Sequence, residues 1–146
     1  MSGRRLMIAL LAFVAVFAAA LVWFQFFAYY SRHRGDADLA VGTATIRLRD
    51  LDQIDATSSP LKLRACFVAD AGAFDDLPAA ADPTPLVAPP WFGCFDAGQI
   101  TADLAAGRAT AHLAAGDNPS GFDLIVATYP DGRGFMWRQL NDRFAE

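Results

Sequence analysis

Charge is absent from Leu6 to Tyr30, and Gln25 is the one strongly polar side chain in those 25 residues. A helix of that length spans roughly 37 Å at about 1.5 Å per residue, more than the ~30 Å hydrocarbon core of a bilayer. The run therefore predicts a transmembrane helix over residues 1–30. Ala18-Ala19-Ala20 could mimic a signal-peptidase site, but Leu21-Val22-Trp23-Phe24 and Phe26-Phe27 follow it. Cleavage there would leave a sticky aromatic terminus, so an uncleaved signal anchor is the better reading. Trp23, Tyr29 and Tyr30 cluster at the downstream end, where an aromatic belt meets the headgroups. On a helical wheel Ala12, Ala15 and Ala19 fall on one stripe, with Phe13, Phe17 and Phe24 nearly opposite. Small residues in a stripe let a second helix approach closely.

Beyond Tyr30 the pattern shortens its period. Ser31 to Asp38 (SRHRGDAD) reads as a polar linker, and residues 39–146 as one soluble domain. Leu39 to Arg49 and Leu61 to Ala69 alternate apolar with polar or charged residues, which predicts strands. Between them Asp50 to Pro60 reads as a turn-rich connection, because Ser58-Ser59-Pro60 stops any helix. Asp70 to Pro90 holds five prolines and reads as loop, with a short helical turn near Ala71 to Leu77. Asp96 to Ala106 is the one convincing soluble helix: Asp96 or Thr101 can cap it, Ile100 and Leu104 share a face, and Gly107 can end it. Arg108 to Leu113, Phe122 to Tyr129 and Gly134 to Leu140 read as strands, the last two joined by a hairpin turn at Pro130-Asp131-Gly132-Arg133. The expected class is α+β: an N-terminal transmembrane helix, then a small antiparallel β-sheet domain with one short helix.

Composition narrows the partners. The segment after the apolar run carries ten of the twelve Lys/Arg and all sixteen Asp/Glu, a formal charge of −6. That argues against nucleic acid, which wants a basic patch. Cys66 and Cys94 both follow the apolar run and lie in apolar settings. An even pair outside the membrane favours one disulfide in an oxidising compartment over two buried free thiols. The bond would close a 29-residue loop and contribute about 3–4 kcal/mol by chain entropy. A redox-active pair would more often read C-x-x-C. The flanking charges, Arg4 and Arg5 against Arg32 and Arg34, leave orientation nearly tied. The cysteines tip it to an N-terminus in the cytoplasm and a C-terminal domain in the periplasm, with the helix in the inner membrane.

Candidate chemistry is sparse, and no catalytic, cofactor-binding or metal-ligating set is expected. His33 lies among arginines and reads as solvated; His112 reads as a half-buried strand residue. Two widely spaced histidines and two cysteines do not make a zinc site. Ser58, Ser59 and Ser120 lack a nucleophile-elbow setting. Gly132-Arg133-Gly134 has no following helix to aim amides at a phosphate. What remains is an aromatic and cationic set, Trp91, Phe92, Arg133, Trp137 and Arg138, as a possible partner or ligand surface. The simpler reading of Trp91 and Phe92 is that they tuck their loop onto the core.

At SPLKLRACF (Ser59–Phe67), PLVAPPWFGCFD (Pro85–Asp96) and YPDGRGFMWRQLN (Tyr129–Asn141) the chain resembles a family of small single-pass membrane proteins from alphaproteobacteria, a domain of unknown function. The likeness spans the apolar run and nearly all of the rest. It implies a bacterial membrane protein and brings no activity with it. Together these observations point to a membrane-anchored periplasmic protein, an interaction or accessory module for an envelope membrane complex, with an envelope protein as partner. The alternative is a small-ligand or enzymatic site near Trp91, Trp137, Arg138 and His112.

Overall fold

The computed structural model describes residues 2–144. Helix α1 runs from Gly3 to Phe26, and none of its residues is buried against the rest of the chain. It is long and apolar enough to cross a membrane. Ala12, Ala15 and Ala19 lie exposed along it. Three residues of turn follow, with Tyr29 at φ +69°, and strand β1 (Tyr30–Val41) begins. The polar stretch expected as a linker is therefore strand.

β1 forms a long hairpin with β2 (Ala44–Ala56) through a tight turn at Gly42 and Thr43. The expected connection over Asp50 to Pro60 is thus strand as far as Ala56. The second departure follows a register shift between Arg49 and Asp52, with Asp50 at φ +49°, which breaks the alternation along β2; the first has another cause. The first half of β1 is an edge exposed on both sides, so no apolar alternation marks it. Its extended state is set by the ladder to β2 and by cross-strand charge pairs. Arg32 pairs with Asp52 at 2.7 Å, and Arg47 reaches Asp38 at 3.2 Å and Asp36 at 3.4 Å.

A 3-10 turn at Pro60–Lys62, capped by the Ser59 hydroxyl, leads into β3 (Arg64–Val68). A long connection then crosses to the far edge of the sheet. It contains α2 (Ala97–Ala105), capped by the Asp96 carboxylate on Gln99 N at 3.0 Å. β4 (Thr110–Ala115), β5 (Phe122–Thr128) and β6 (Arg133–Leu140) complete a six-stranded antiparallel sheet in the order β1-β2-β3-β6-β5-β4. The fold is α+β, as the pattern predicts.

Both faces of the sheet are covered. Ala65, Phe67, Val126 and Met136 point to one face, where the distal end of the hairpin curls over them. Ile54, Ile125, Ala127 and Trp137 point to the other, beneath Phe92, Phe95 and α2. The expected helical turn near Ala71 to Leu77 forms only non-helical turns, and it serves to drive Phe74 against Phe67, with ring centroids 5.9 Å apart. The outer edge of β4 is shielded: Leu113 N donates to Pro78 O at 2.8 Å and Ala80 N to Ala111 O at 3.1 Å. Such cover removes an unpaired edge that would otherwise invite aggregation.

Candidate functional site

Arg64 organises the region where α1 meets the sheet. Alternation places it on the polar side of β3, yet it is 6% exposed because that face is covered too. A buried guanidinium must satisfy its donors. It gives them to four carbonyls: Leu61 O, Leu63 O at 2.6 Å, Leu86 O at 2.9 Å and Val87 O at 3.3 Å. Burial pushes its pKa down, though far too little to discharge a guanidinium. The bonds clip the proline-rich loop around Pro85–Pro90 to the start of β3, and the Cys66–Cys94 disulfide fastens the same loop downstream.

So held, the loop delivers Trp91 to the foot of α1. The indole N–H donates to the carbonyl of Phe26, the last residue of the helix. Its ring stacks on Phe27 with centroids 6.1 Å apart and meets Tyr30 edge-on at 5.6 Å. Phe27 stacks in turn on Trp23 at 5.5 Å. The Arg32 guanidinium lies 5.9 Å from the Trp91 ring centre and 5.4 Å from that of Phe92, within cation–π range. Asp52 fixes that guanidinium through bonds of 2.8 and 2.7 Å. The hydrogen bond from Arg32 holds the Asp52 carboxyl below its usual range. Lys62 Nζ stands 5.2 Å over the Tyr30 ring. The result is an aromatic and cationic collar between helix and sheet.

A second polar assembly holds α2 to the sheet. The Tyr129 hydroxyl donates to Asp103 Oδ2 at 2.6 Å, while Arg108 Nε at 2.8 Å and Gln99 Nε2 at 2.9 Å donate to Oδ1. Those donors lower the Asp103 pKa, with the Tyr129 bond the largest cause. Burial first, then the carboxylate beside it, pushes the Tyr129 phenol up to about 12. No candidate metal-binding group of His, Cys, Asp or Glu occurs among the described residues.

The residues singled out as a possible surface separate. Trp91 joins the collar. Phe92 and Trp137 are 1% and 0% exposed and contribute to no surface, a correction to that expectation. Trp137 packs edge-on against Phe95 at 6.2 Å and donates to Gln139 Oε1 at 3.0 Å. Arg133 is the first residue of β6, 4.4 Å over the Tyr129 ring and 2.8 Å from Asp131. Arg138 points to the opposite face from Trp137, 3.4 Å from Asp55, beside a shallow cleft with Ser31 and Pro119. His112 is buried on that opposite face, 3.0 Å from the Thr128 hydroxyl and packed near Phe74. The alternative site near Trp91, Trp137, Arg138 and His112 is divided by the sheet, with Trp91 and Trp137 on one face and Arg138 and His112 on the other. Arg64 and Gln139 went unnoticed in the sequence. The only signal for Arg64 was a cation set one residue before Ala65-Cys66-Phe67, within reach of a proline-rich loop.

An antiparallel six-stranded sheet joined directly to one long apolar helix defines an α+β protein with a candidate membrane span. Residues 37–146 match the model of DUF6446, a family of unknown function, and the chain belongs to that family. No curated protein and no solved structure matches it.

Proposed function

We propose that this protein is a membrane-anchored periplasmic interaction module, an accessory or assembly subunit of an envelope membrane complex without catalysis of its own. α1 spans the inner membrane with the N-terminus in the cytoplasm, and the sheet domain stands on the outer side. The observation that carries the reading is the collar: Trp91 bonds the last helical carbonyl and stacks on Phe27 and Tyr30. A tryptophan with one wet and one apolar end suits the headgroup layer, and here it also fixes the domain to the helix. The disulfide supports an oxidising compartment. The exposed stripe of Ala12, Ala15 and Ala19 supports a second helix as neighbour in the bilayer.

The test is gentle detergent extraction of tagged full-length protein, chemical crosslinking and mass spectrometry of what accompanies it. One membrane protein recovered in stoichiometric amount is the expected result. Bait alone, in every detergent and at every crosslinker length, overturns the reading. Cysteine-labelling reagents that cannot cross the inner membrane, applied to single-cysteine variants at Thr57, read the orientation independently.

A further inference from the structure

A cleft of about 520 Å³ opens between the ends of β5 and β6 and the segment Ala79–Leu86. That volume falls within the roughly 300–1,000 Å³ of ligand sites. Its apolar lining comes from Leu61, Leu86, Leu113, Ile125 and Leu140, and Leu140 is 49% exposed at the lip. Three acidic residues also line it, Asp82, Asp123 and Asp142, and no Lys or Arg does. Asp123 is engaged, accepting from Asp117 N at 2.9 Å and from Asn141 Nδ2 at 3.3 Å. The carboxylates of Asp82 and Asp142 have no hydrogen-bond or ion-pair partner among the described residues. Arg143, next along the chain, is taken by Ser120 at 2.9 Å and Asp117 at 3.3 Å.

The wall is set in advance by Gln139. Its Oε1 accepts from Trp137 Nε1 at 3.0 Å and from Thr84 N at 2.8 Å, and its Nε2 donates to Asp82 O at 2.8 Å. One amide thus pins the 82–84 loop to β6 through both its oxygen and its nitrogen. A wall ordered before binding spares the ordering cost at the moment of binding. The apolar lining sits beside unpaired acidic groups on two separate segments. Its complement is a ligand that alternates apolar and cationic groups.

We propose that this cleft binds a short peptide segment of a membrane partner in which apolar residues alternate with Lys or Arg. The inference rests on the reading of the protein as a tethered interaction module and names the chemistry of what it takes. Main-chain groups of the partner segment meet the exposed 79–84 loop, its apolar side chains fill the floor, and its cations meet Asp82 and Asp142.

The test uses full-length protein in nanodiscs of neutral phosphatidylcholine, so that lipid does not draw the probe. The probes are fluorescein-labelled eight-residue peptides alternating Leu with Lys, Leu with Glu, or Ser with Lys, read by anisotropy. The Leu/Lys peptide is expected to bind at least tenfold tighter than either control, and to weaken as salt rises. The double variant Asp82→Asn/Asp142→Asn is expected to lose at least tenfold in affinity with an unchanged unfolding midpoint, since neither side chain bonds anything among the described residues. Leu140→Ser, at the exposed lip, is expected to lose at least threefold. Leu/Lys and Leu/Glu peptides binding within twofold of each other, or full affinity in the double variant, overturns the proposal. A membrane partner that co-purifies equally with wild type and the double variant, with no peptide preference, removes the cleft and leaves the tethered module standing. A preference for the Leu/Lys peptide in a protein that draws no partner from membranes upholds the cleft and removes the tethered module.

Discussion

Gly134 stands opposite Phe67 in the β3–β6 ladder, and the Phe67 ring lies across it. A Cβ added at Gly134 would overlap Cε2 and Cζ of that ring and lie 3.0 Å from Cδ2. The ring has little room to turn aside, because it is 4% exposed and packs on the buried Phe74 at 5.9 Å. Gly134→Ala therefore overpacks a filled face. Overpacking typically costs about 1–3 kcal/mol, and a clash with a pinned aromatic ring belongs at the upper end, roughly 2–3 kcal/mol. Removing the ring alone, Phe67→Ala, costs about 3–5 kcal/mol by lost burial and the cavity left behind. The double variant is the sharper test. Without the ring the added methyl has space, so Gly134→Ala is expected to be close to neutral in the Phe67→Ala background, a coupling of about 2 kcal/mol. The assay is equilibrium urea unfolding of full-length protein in one detergent, followed by near-ultraviolet circular dichroism. A Gly134→Ala cost below ~0.5 kcal/mol, or equal costs in the two backgrounds, refutes the reasoning.

Other expectations follow from the polar assemblies and the disulfide. Cys66→Ala/Cys94→Ala opens the 29-residue loop and is expected to lower stability by about 3–4 kcal/mol, measured by the same unfolding curves under non-reducing conditions. The raised Tyr129 phenol favours the folded state while it keeps its proton. That stability is complete below the unfolded value of about 10 and is lost as pH climbs towards its folded value of about 12. Alkaline melts should show this decline, and Tyr129→Phe should flatten it; an unchanged alkaline limb would contradict the assignment. Asp52 has the opposite sign. Its carboxyl is held low by Arg32, so its contribution is present above the unfolded value of about 3.9 and fades as pH falls through the lower folded one. Melts below about pH 4 should show that loss, and Asp52→Asn should remove it.

The strands β5 and β6, the turn between them and α2 were legible because local chemistry and tertiary demand coincide there. Gly132 in that turn takes φ +95°, with the carbonyl of Ala69 only 2.9 Å from where a Cβ would stand. The Asp96 cap and the Gly107 stop also declare α2 before any packing is known. Tyr30 to Asp38 was illegible for the opposite reason. Its extended state comes from a partner strand about twenty residues away and from charge pairs, neither of which leaves a period in the local sequence. The alternation in β3 correctly gave a strand and misplaced Arg64, since alternation assumes one wet face and this sheet covers both. Trp137 and Phe92 misled in the same way: aromatics beside turn residues resemble a surface patch, yet strand parity sets Trp137 beneath the long connection, and Phe92 is the residue of that connection that packs down on the same face. The cleft was invisible to pattern reading because its walls come from five separated stretches, two of them joined by the amide of Gln139.

The three-residue joint between α1 and β1 has a consequence for how a partner is found. Phe27 N and Ala28 N both still donate to Trp23 O at 2.9 Å, and Trp91 grips the carbonyl of Phe26. The joint is therefore a bracket, not a tether, and with α1 in a bilayer the domain keeps one tilt and one height above it. Leu61 of the cleft adjoins Lys62, which stands over Tyr30 at the helix foot, so with α1 in a bilayer the cleft would be held at a fixed height above it. Encounter with another membrane protein is then a search in a plane with one angle already set. Confinement of that kind raises the effective concentration of one membrane protein for another without any new contact. Recognition of modest strength between free molecules suffices under those terms, and a domain cut loose from its helix would lose that gain.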